Sequence, residues 1–402
     1  DSLFSELKKW EKKSGYEADT TLYNIYYNLG VQFQNSNPDT ALYFLKQSIL
    51  KAQSIKDAIK EAESVRQTGW CYYVKGDYGL AMEKYETGLK ILDRNNNEKD
   101  KNKKLEVYAA IMGKIGVVYH NQGDFSKALE YYFRALKINE ELGDKQSQAV
   151  HLGNIGIVYT DQGDYSKALE YYFRALKINE ELGNKLYQAA NLVNIGTVYT
   201  DQGDYAKALK YYFRALKINE ELGNKQGQSI SLVNIGTVYY EQGDYSKALD
   251  YYFKALKINE ELGNKQNQAI NLGNIGGVYK DQGDYSKALE YCFKALKICE
   301  EIGNKRSQAI NLGNIGEIYI QQKKYKKAEE YLKKAITLGE DIHIPYELKN
   351  FYSSLSELYS QTGRYKESLE AYKKHAMLKD TLNSEQNRKA LATKEMQYEF
   401  ER

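Results

Sequence analysis

The stretch that decides the fold is NIGIVYTDQGDYSKALEYYFRALKINEELGNK, which runs from Asn154 to Lys185. Nearly the same string begins again at Asn194, Asn234 and Asn274, each time 40 residues further along the chain. A fixed period of this length indicates a repeat protein, in which each unit packs mainly against its neighbours. The 402 residues are therefore expected to form one repeat domain rather than two or three globular ones.

The spacing of apolar residues predicts two helices in each unit. Leu152, Ile155 and Tyr159 follow one another at three- and four-residue spacing, which indicates the apolar face of a first helix. Gly163 ends that helix, and Asp164 is placed to cap a second one. The second helix has its own apolar face, formed by Ala168, Leu169, Tyr172, Phe173, Ala175, Leu176 and Ile178. Each unit is thus predicted to be a helical hairpin that completes its core by stacking.

A glycine inside the first helix indicates close packing. Gly156 costs about 1 kcal/mol of helix stability relative to alanine, yet it recurs in the neighbouring units at positions 116, 196, 236, 276 and 316. We expect the two helices of a hairpin to approach closely where Gly156 meets Ala168. Ala175 is expected to allow the same close approach to the next hairpin.

The small and aromatic positions of one unit resemble the signature of the tetratricopeptide repeat family. The residues that carry the resemblance are Leu152, Ile155, Gly156, Tyr159, Ala168, Tyr172 and Ala175. The family's usual unit has about 34 residues, so this one has longer helices, as in cell-polarity scaffolds, kinesin light chains and many bacterial signalling proteins. The resemblance implies an all-α fold, a right-handed superhelical solenoid of about nine hairpins.

The weaker repeats at both ends give the predicted domain limits. Residues 1–21 are expected to form an N-terminal capping helix, and residues 22–378 the solenoid, with near-identical repeats at about 107–346. Residues 379–402 carry no repeat and are expected to form a C-terminal helix that acts as a connector.

Composition excludes several classes of function. The chain has 57 basic and 54 acidic residues, interleaved along the sequence, so it lacks the basic patch of a nucleic-acid-binding protein. The sequence has no run of about 18 apolar residues, so no membrane segment is predicted in this chain. Its first residues do not resemble a signal peptide. Cys292 and Cys299 lie seven residues apart on one predicted helix, too far for a disulfide.

No constellation of reactive residues is apparent. The four histidines, for example His120 and His151, fall in different units and are expected to be isolated surface or groove residues. The glycines are too far apart to form a phosphate-binding loop. We therefore predict no catalytic site, no metal site and no cofactor, and the chain is expected not to be an enzyme.

A row of asparagines holds the same place on successive first helices: Asn154, Asn194, Asn234, Asn274 and Asn314. In a tetratricopeptide solenoid the first helices line the concave surface, and this place commonly presents an asparagine to a bound peptide. An amide both donates and accepts hydrogen bonds, so such a row could hold an extended backbone. The alternative is that each asparagine bonds the neighbouring hairpin and only fixes the stacking.

Other positions of the same groove vary between units, as a tailored binding surface or unselected drift would both produce. The further candidates are Ile157, Thr197, Thr237, Thr160, Thr200, Tyr240, Asp161, Asp201, Glu241 and Asp281. The last four would make one strip of the groove acidic. Related receptors carry a cation on this face to clamp an acidic ligand, whereas the place four residues before each asparagine is apolar here, as at Ile270.

The tail resembles the end of the sensor region in bacterial histidine kinases with tetratricopeptide repeats. Residues Tyr372–Leu382 and Glu395–Glu401 carry this likeness, within AYKKHAMLKDTLNSEQNRKALATKEMQYEFER. It implies a sensory module that binds a protein or peptide, with the C-terminal helix a candidate for dimerisation. The alternative is a freestanding scaffold that assembles a protein complex. The sensor would be periplasmic or otherwise extracytoplasmic, and the scaffold cytoplasmic.

Overall fold

The structure is a computed structural model that describes residues 2–13, 15–94 and 100–400, without the side chains of residues 16, 18 and 383–400. Within these ranges the chain forms helices and no strand, which confirms the all-α prediction. The helices are α1 Ser2–Trp10, α2 Tyr16–Phe33, α3 Pro38–Ser54, α4 Ala58–Val74, α5 Tyr78–Arg94, α6 Lys101–Asn121, α7 Phe125–Leu142, α8 Lys145–Asp161, α9 Tyr165–Glu181, α10 Lys185–Asp201, α11 Tyr205–Glu221, α12 Lys225–Glu241, α13 Tyr245–Glu261, α14 Lys265–Asp281, α15 Tyr285–Glu301, α16 Lys305–Gln321, α17 Tyr325–Asp341, α18 Pro345–Gln361 and α19 Tyr365–Phe400.

Helices α2 to α19 form tandem hairpins. Each even-numbered helix is the first helix of a hairpin, and the odd-numbered helix that follows is its second helix. The described residues thus contain nine hairpins, α2 with α3 through α18 with α19, in agreement with the predicted number. The last helix, α19, runs without interruption from Tyr365 to Phe400.

The described chain divides into two compact units, with the boundary inside α9. The first unit holds the residues up to Ile178 together with those from Ala392 onward, and the second unit is Asn179–Leu391. Most of the predicted binding positions lie in the second unit. A single repeat domain with limits at residues 22 and 378 stays a prediction, as does the right-handed superhelix.

The residues predicted to end the first helix and to cap the second do so in the structure. Gly163 follows α8 with a φ of +75°, a left-handed conformation that a glycine adopts without a steric penalty. The Asp164 carboxylate then accepts a hydrogen bond from the backbone N–H of Lys167 at 3.2 Å, which caps α9. The same pair returns at Gly203 and Asp204 in the second unit.

A buried tyrosine explains the glycine within the first helix of the hairpins from α4 to α13. Tyr212 of α11 is 2% exposed, and its ring lies directly against Gly196 of α10. A Cβ added to Gly196 would stand 2.6 Å from the tyrosine Cε1, far inside van der Waals contact. The same contact joins Gly156 to Tyr172 and Gly236 to Tyr252. The close approach expected at the alanine is seen at Gly236, where an added Cβ would also lie 3.3 Å from the Ala248 carbonyl oxygen, and the tyrosine ring is the nearer neighbour.

A second tyrosine pair strengthens the hairpins. The rings of Tyr199 and Tyr211 stack with their centroids 5.5 Å apart, and those of Tyr239 and Tyr251 do the same. Such pairs contribute about 0.5–1.5 kcal/mol each beyond the burial of their area. Repeated stacking of this kind accounts for much of the excess of tyrosine, 39 residues against 11 phenylalanines.

We expect Gly196→Ala to lower the free energy of unfolding by about 1–3 kcal/mol, because the new methyl group collides with a ring that cannot move away. The matched control is Gly277→Ala in α14, where an added Cβ meets nothing within 4 Å. The control should raise stability by about 1 kcal/mol through helix propensity. Chemical denaturation of both variants measures the difference, and equal effects of the two substitutions would contradict the packing account.

Candidate functional site

Successive first helices in the second unit lie side by side. The Lys280 ammonium of α14 pairs with the Glu317 carboxylate of α16 at 3.0 Å, and the Tyr240 hydroxyl of α12 donates to the Asp281 carboxylate of α14. Asn274 and Asn314 line one common cavity. We call the outward positions of α10, α12, α14 and α16 the first-helix surface, with the asparagine row as its centre.

The asparagine side chains of the row have no partner within the described protein. Asn194, Asn234, Asn274 and Asn314 of the second unit are partly buried, as is Asn154 of the first unit. None of the five amides makes a hydrogen bond to another described residue. Fixing the stack would require such bonds to the neighbouring hairpin. The amide donors and acceptors of the row are therefore free to meet a ligand.

The threonine hydroxyls, in contrast, are engaged inside their hairpins. The Tyr212 hydroxyl lies 3.1 Å from Thr197 Oγ1 and 3.2 Å from Thr200 Oγ1. The hydroxyl of Tyr252 bonds Thr237 at 3.0 Å.

In the first unit Tyr172 bonds Thr160 at 3.2 Å, and Ile157 is partly buried on the same helix. This arrangement favours a structural part for these threonines, which satisfy the polar ends of the buried tyrosines. The sequence signal was a threonine 12 or 15 residues before each tyrosine.

The acidic row is partly paired. Asp281 accepts from Tyr240, and in the first unit Asp161 lies 2.7 Å from His120 Nε2. Desolvation by the surrounding protein raises the pKa of the Asp201 carboxyl above its ordinary value. Glu241 is exposed. Asp201 and Glu241 thus remain as the acidic groups without an ion pair among the described residues of this row.

Aliphatic side chains lie one helical turn before the asparagines. Ile230 and Ile270 are 42% and 43% exposed on α12 and α14, and Val150 is 37% exposed at the same place on α8. Large aliphatic groups so exposed at repeated positions are typical of a contact surface. The first-helix surface therefore alternates apolar contacts with free amides.

A cavity of about 370 Å³ opens between α14 and its neighbours, and sequence reasoning missed it. Residues from both rows line it, namely Ile270, Asn274 and Asn314, and Cys292 and Lys280 are also in its wall. The signal that could have found it is the pair Gly273 and Gly277, since the two preceding units have larger side chains at the same places.

The titratable groups of the cavity are held in unreactive forms. Burial raises the pKa of the Cys292 thiol to about 12, so the sulfur is a small, apolar, protonated group. Burial lowers the pKa of Lys280, but the charge of Glu317 and its hydrogen bond raise it by more, and the lysine remains charged. Neither residue is poised as a nucleophile or base.

One expectation about the histidines is wrong. His151 is not a surface or groove residue but is 6% exposed, packed beside Gly113 and the ring of Tyr132. Burial lowers the pKa of its imidazole to about 4, so the ring is neutral in the folded protein. The cysteines Cys71, Cys292 and Cys299 are all buried and free.

The described residues offer neither a metal site nor a membrane-spanning helix. No three histidine, cysteine, aspartate or glutamate side chains lie together in a way that could hold a metal ion. None of the helices described is both long and apolar enough to cross a membrane.

Comparison with known families agrees with this architecture. A family model for the tetratricopeptide repeat matches residues 107–181, 187–261 and 267–341, more than half of the chain, and a second one matches residues 350–379. The chain is a tetratricopeptide repeat protein. No curated protein sequence matches it.

Solved structures with the same fold are distant in sequence. The apo form of RapI has a TM-score of 0.67 at 18% identity, covering 91% of this chain and 98% of that one. The apo quorum sensor NprR from B. thuringiensis has a TM-score of 0.61 at 20% identity, covering 87% and 98%. The Rap conjugation gene regulator of plasmid pLS20, solved with the Phr* peptide, has a TM-score of 0.55 at 16% identity, covering 91% and 96%. At these identities the likeness shows the tetratricopeptide fold alone.

The buried imidazole gives this repeat protein a pH-dependent stability. Because the folded pKa of His151 lies near 4 and its ordinary value is 6.5, the unfolded chain binds a proton more readily between these values. Stability contributed by His151 is fully present above pH 6.5 and is lost as the pH falls towards 4, by about 3 kcal/mol in all. Chemical denaturation at a series of pH values measures this loss.

The control is His151→Asn, which installs the residue found at the same place in three later units, for example Asn191. Its unfolding free energy should decline less between pH 6.5 and 4 than that of the unmodified chain. Identical pH profiles for the two proteins would show that His151 is accessible to protons in the folded state.

Proposed function

We propose that the chain is a non-catalytic module that binds an extended peptide, or an extended segment of a partner protein, along the first-helix surface. The observation that carries this proposal is the row of asparagine amides without partners among the described residues. Each amide can accept from one backbone N–H and donate to one backbone C=O of a ligand. A row of them suits an extended chain, whose own backbone groups need partners.

The neighbouring side chains suit the rest of such a ligand. Ile230 and Ile270 offer apolar contacts to its side chains, and Asp201 and Glu241 favour a basic group at the same edge. Among the structures of similar fold, the plasmid pLS20 regulator was solved with a peptide, and NprR is named as a quorum sensor. These two structures of similar fold support the proposal that this chain also binds a peptide.

We further propose that the module is the sensory region of a bacterial signal-transduction protein of the histidine kinase type. The likeness of the tail supports this, and the unbroken course of α19 from Tyr365 to Phe400 suits a connector that could dimerise and transmit a change. Kinase chemistry would then lie outside these 402 residues. A freestanding assembly scaffold is the competing function.

The coding sequence beyond Arg402 distinguishes these two roles. A membrane span followed by a histidine kinase domain is expected for the sensor. A stop codon directly after Arg402, or an unrelated domain, would contradict the kinase role and favour the scaffold. Neither result affects the proposal that the first-helix surface binds a peptide.

The triple variant Asn194→Ala, Asn234→Ala and Asn274→Ala tests the binding surface. Each lost amide removes hydrogen bonds worth about 1 kcal/mol to the ligand, so affinity should fall by about 100-fold or more. Peptides selected from a random library against the unmodified chain serve as probes, and fluorescence anisotropy gives their dissociation constants. The thermal unfolding temperature should hardly change.

The matched control changes three exposed lysines of second helices in the same unit, Lys217, Lys257 and Lys297, to alanine. The control should bind the selected peptides as the unmodified chain does. Unchanged affinity in the asparagine variant would reject the binding role. A large loss of thermal stability in that variant would instead support the stacking alternative.

A further inference from the structure

The cavity beside α14 lies where one hairpin lacks three larger side chains that the two preceding hairpins have. Gly273, Gly277 and Cys292 line the cavity. At the same places the two preceding units have Val193 and Val233, Thr197 and Thr237, and Tyr212 and Tyr252. The three differences fall on two helices but surround one space. Together these differences remove the tyrosine ring, the threonine hydroxyl that bonds it and the valine side chain beside it.

The preceding hairpins show what this space normally contains. In the hairpin of α12 and α13, the ring of Tyr252 packs on Gly236 and its hydroxyl bonds Thr237 at 3.0 Å. In the hairpin of α14 and α15, the helical glycine, Gly276, has the Cys292 sulfur as its nearest side-chain neighbour in place of a ring. A space fit for an aromatic ring is therefore left beside Cys292. It reaches the first-helix surface, because Asn274 also lines it.

A buried polar atom in the cavity wall lacks a partner. Asn311 is 5% exposed, and its Nδ2 donates to the Ser307 carbonyl at 2.9 Å. Its Oδ1 is buried and accepts no hydrogen bond from any described residue. Leaving a buried acceptor unpaired is unfavourable, so a donor supplied by a ligand would be favoured at this point.

We propose that this cavity receives one aromatic side chain with a hydrogen-bond donor, tyrosine or tryptophan, from the bound peptide. The ligand's ring takes the place that the chain's own tyrosine fills in the preceding hairpins, and its donor meets Asn311. This inference rests on the proposed function, since Asn274 and Asn314 would hold the peptide backbone at the mouth. The space is sufficient, because cavities of about 150 Å³ already admit benzene.

Small mimics of the side chain test the cavity independently of any peptide. We expect p-cresol, which carries the ring and hydroxyl of tyrosine, to bind the full chain at one site, measured by isothermal titration calorimetry. Cys292→Tyr restores the residue of the preceding units and should weaken that binding by about tenfold or more, because the site becomes filled. Equal binding to Cys292→Tyr, or no binding of p-cresol at millimolar concentration to the unmodified chain, would overturn the proposal.

Two further variants test whether weaker p-cresol binding comes from filling the cavity or from misfolding. Gly277→Thr narrows the same cavity from the other helix by restoring the threonine of the preceding units, and should also weaken p-cresol binding. Lys297→Ala is the matched control, since Lys297 is exposed on the same helix as Cys292 and does not line the cavity. It should bind p-cresol as the unmodified chain does. Equal weakening by Lys297→Ala would contradict the assignment.

A peptide library with one fixed position separates this inference from the proposed function. Libraries fixed as tyrosine, tryptophan, leucine or alanine are captured on the unmodified chain and on Cys292→Tyr. The inference predicts enrichment of the aromatic libraries on the unmodified chain only. Peptide capture without aromatic preference would overturn the cavity assignment and leave the binding function intact. Failure to capture any peptide, with p-cresol still bound, would reject the proposed function while the cavity stands.

Discussion

The contact between a helical glycine and a buried tyrosine ring is the constraint on which the hairpins from α4 to α13 depend. The ring of Tyr212 lies so close to Gly196 that no other side chain fits, and its hydroxyl is held by Thr197 and Thr200. Three residues of the first helix are thus committed to one residue of the second. The helix-propensity cost of the glycine is offset by burial of the ring.

Because these positions of a first helix make core contacts, only its other positions are available to bind a ligand. The glycine, the threonines and the apolar face of a first helix belong to the core. The asparagine and the aliphatic residue one turn before it are left for the solvent, as with Asn234 and Ile230. Function in such a protein is therefore confined to few positions of each unit. The hairpin of α14 and α15 departs from this rule, since loss of the ring at Cys292 converts a core position into a binding position.

The fold could be predicted from the sequence because the repeat multiplies a weak signal. A single glycine or tyrosine says little, but Gly156 and Tyr172 returning every 40 residues fix both helices and their contact. The hairpin number followed from the same count. The role of the threonines could not be read in this way, because a hydroxyl at Thr200 suits a groove and a buried bond equally well. His151 was misassigned because its burial depends on a neighbouring hairpin, through Gly113.

The candidate site was predicted only in part. The asparagine row was apparent from its spacing, whereas the lack of hydrogen-bond partners for its amides could be seen only in the side-chain contacts. The cavity was missed because Cys292 is, in the sequence, a single departure from the tyrosine of the preceding units. Only the three-dimensional structure brings Gly273 and Gly277 to the border of the same space. Substitutions that are scattered along the sequence can converge in three dimensions, and one sequence alone does not show that convergence.

The central claim is that the first-helix surface holds an extended peptide by its backbone. A crystal structure of the chain with a peptide enriched from a random library tests it most directly. The account predicts peptide backbone N–H and C=O groups within about 3 Å of the amides of Asn234 and Asn274. A peptide bound on the second helices, or asparagine amides turned to the neighbouring hairpin in the complex, would contradict it.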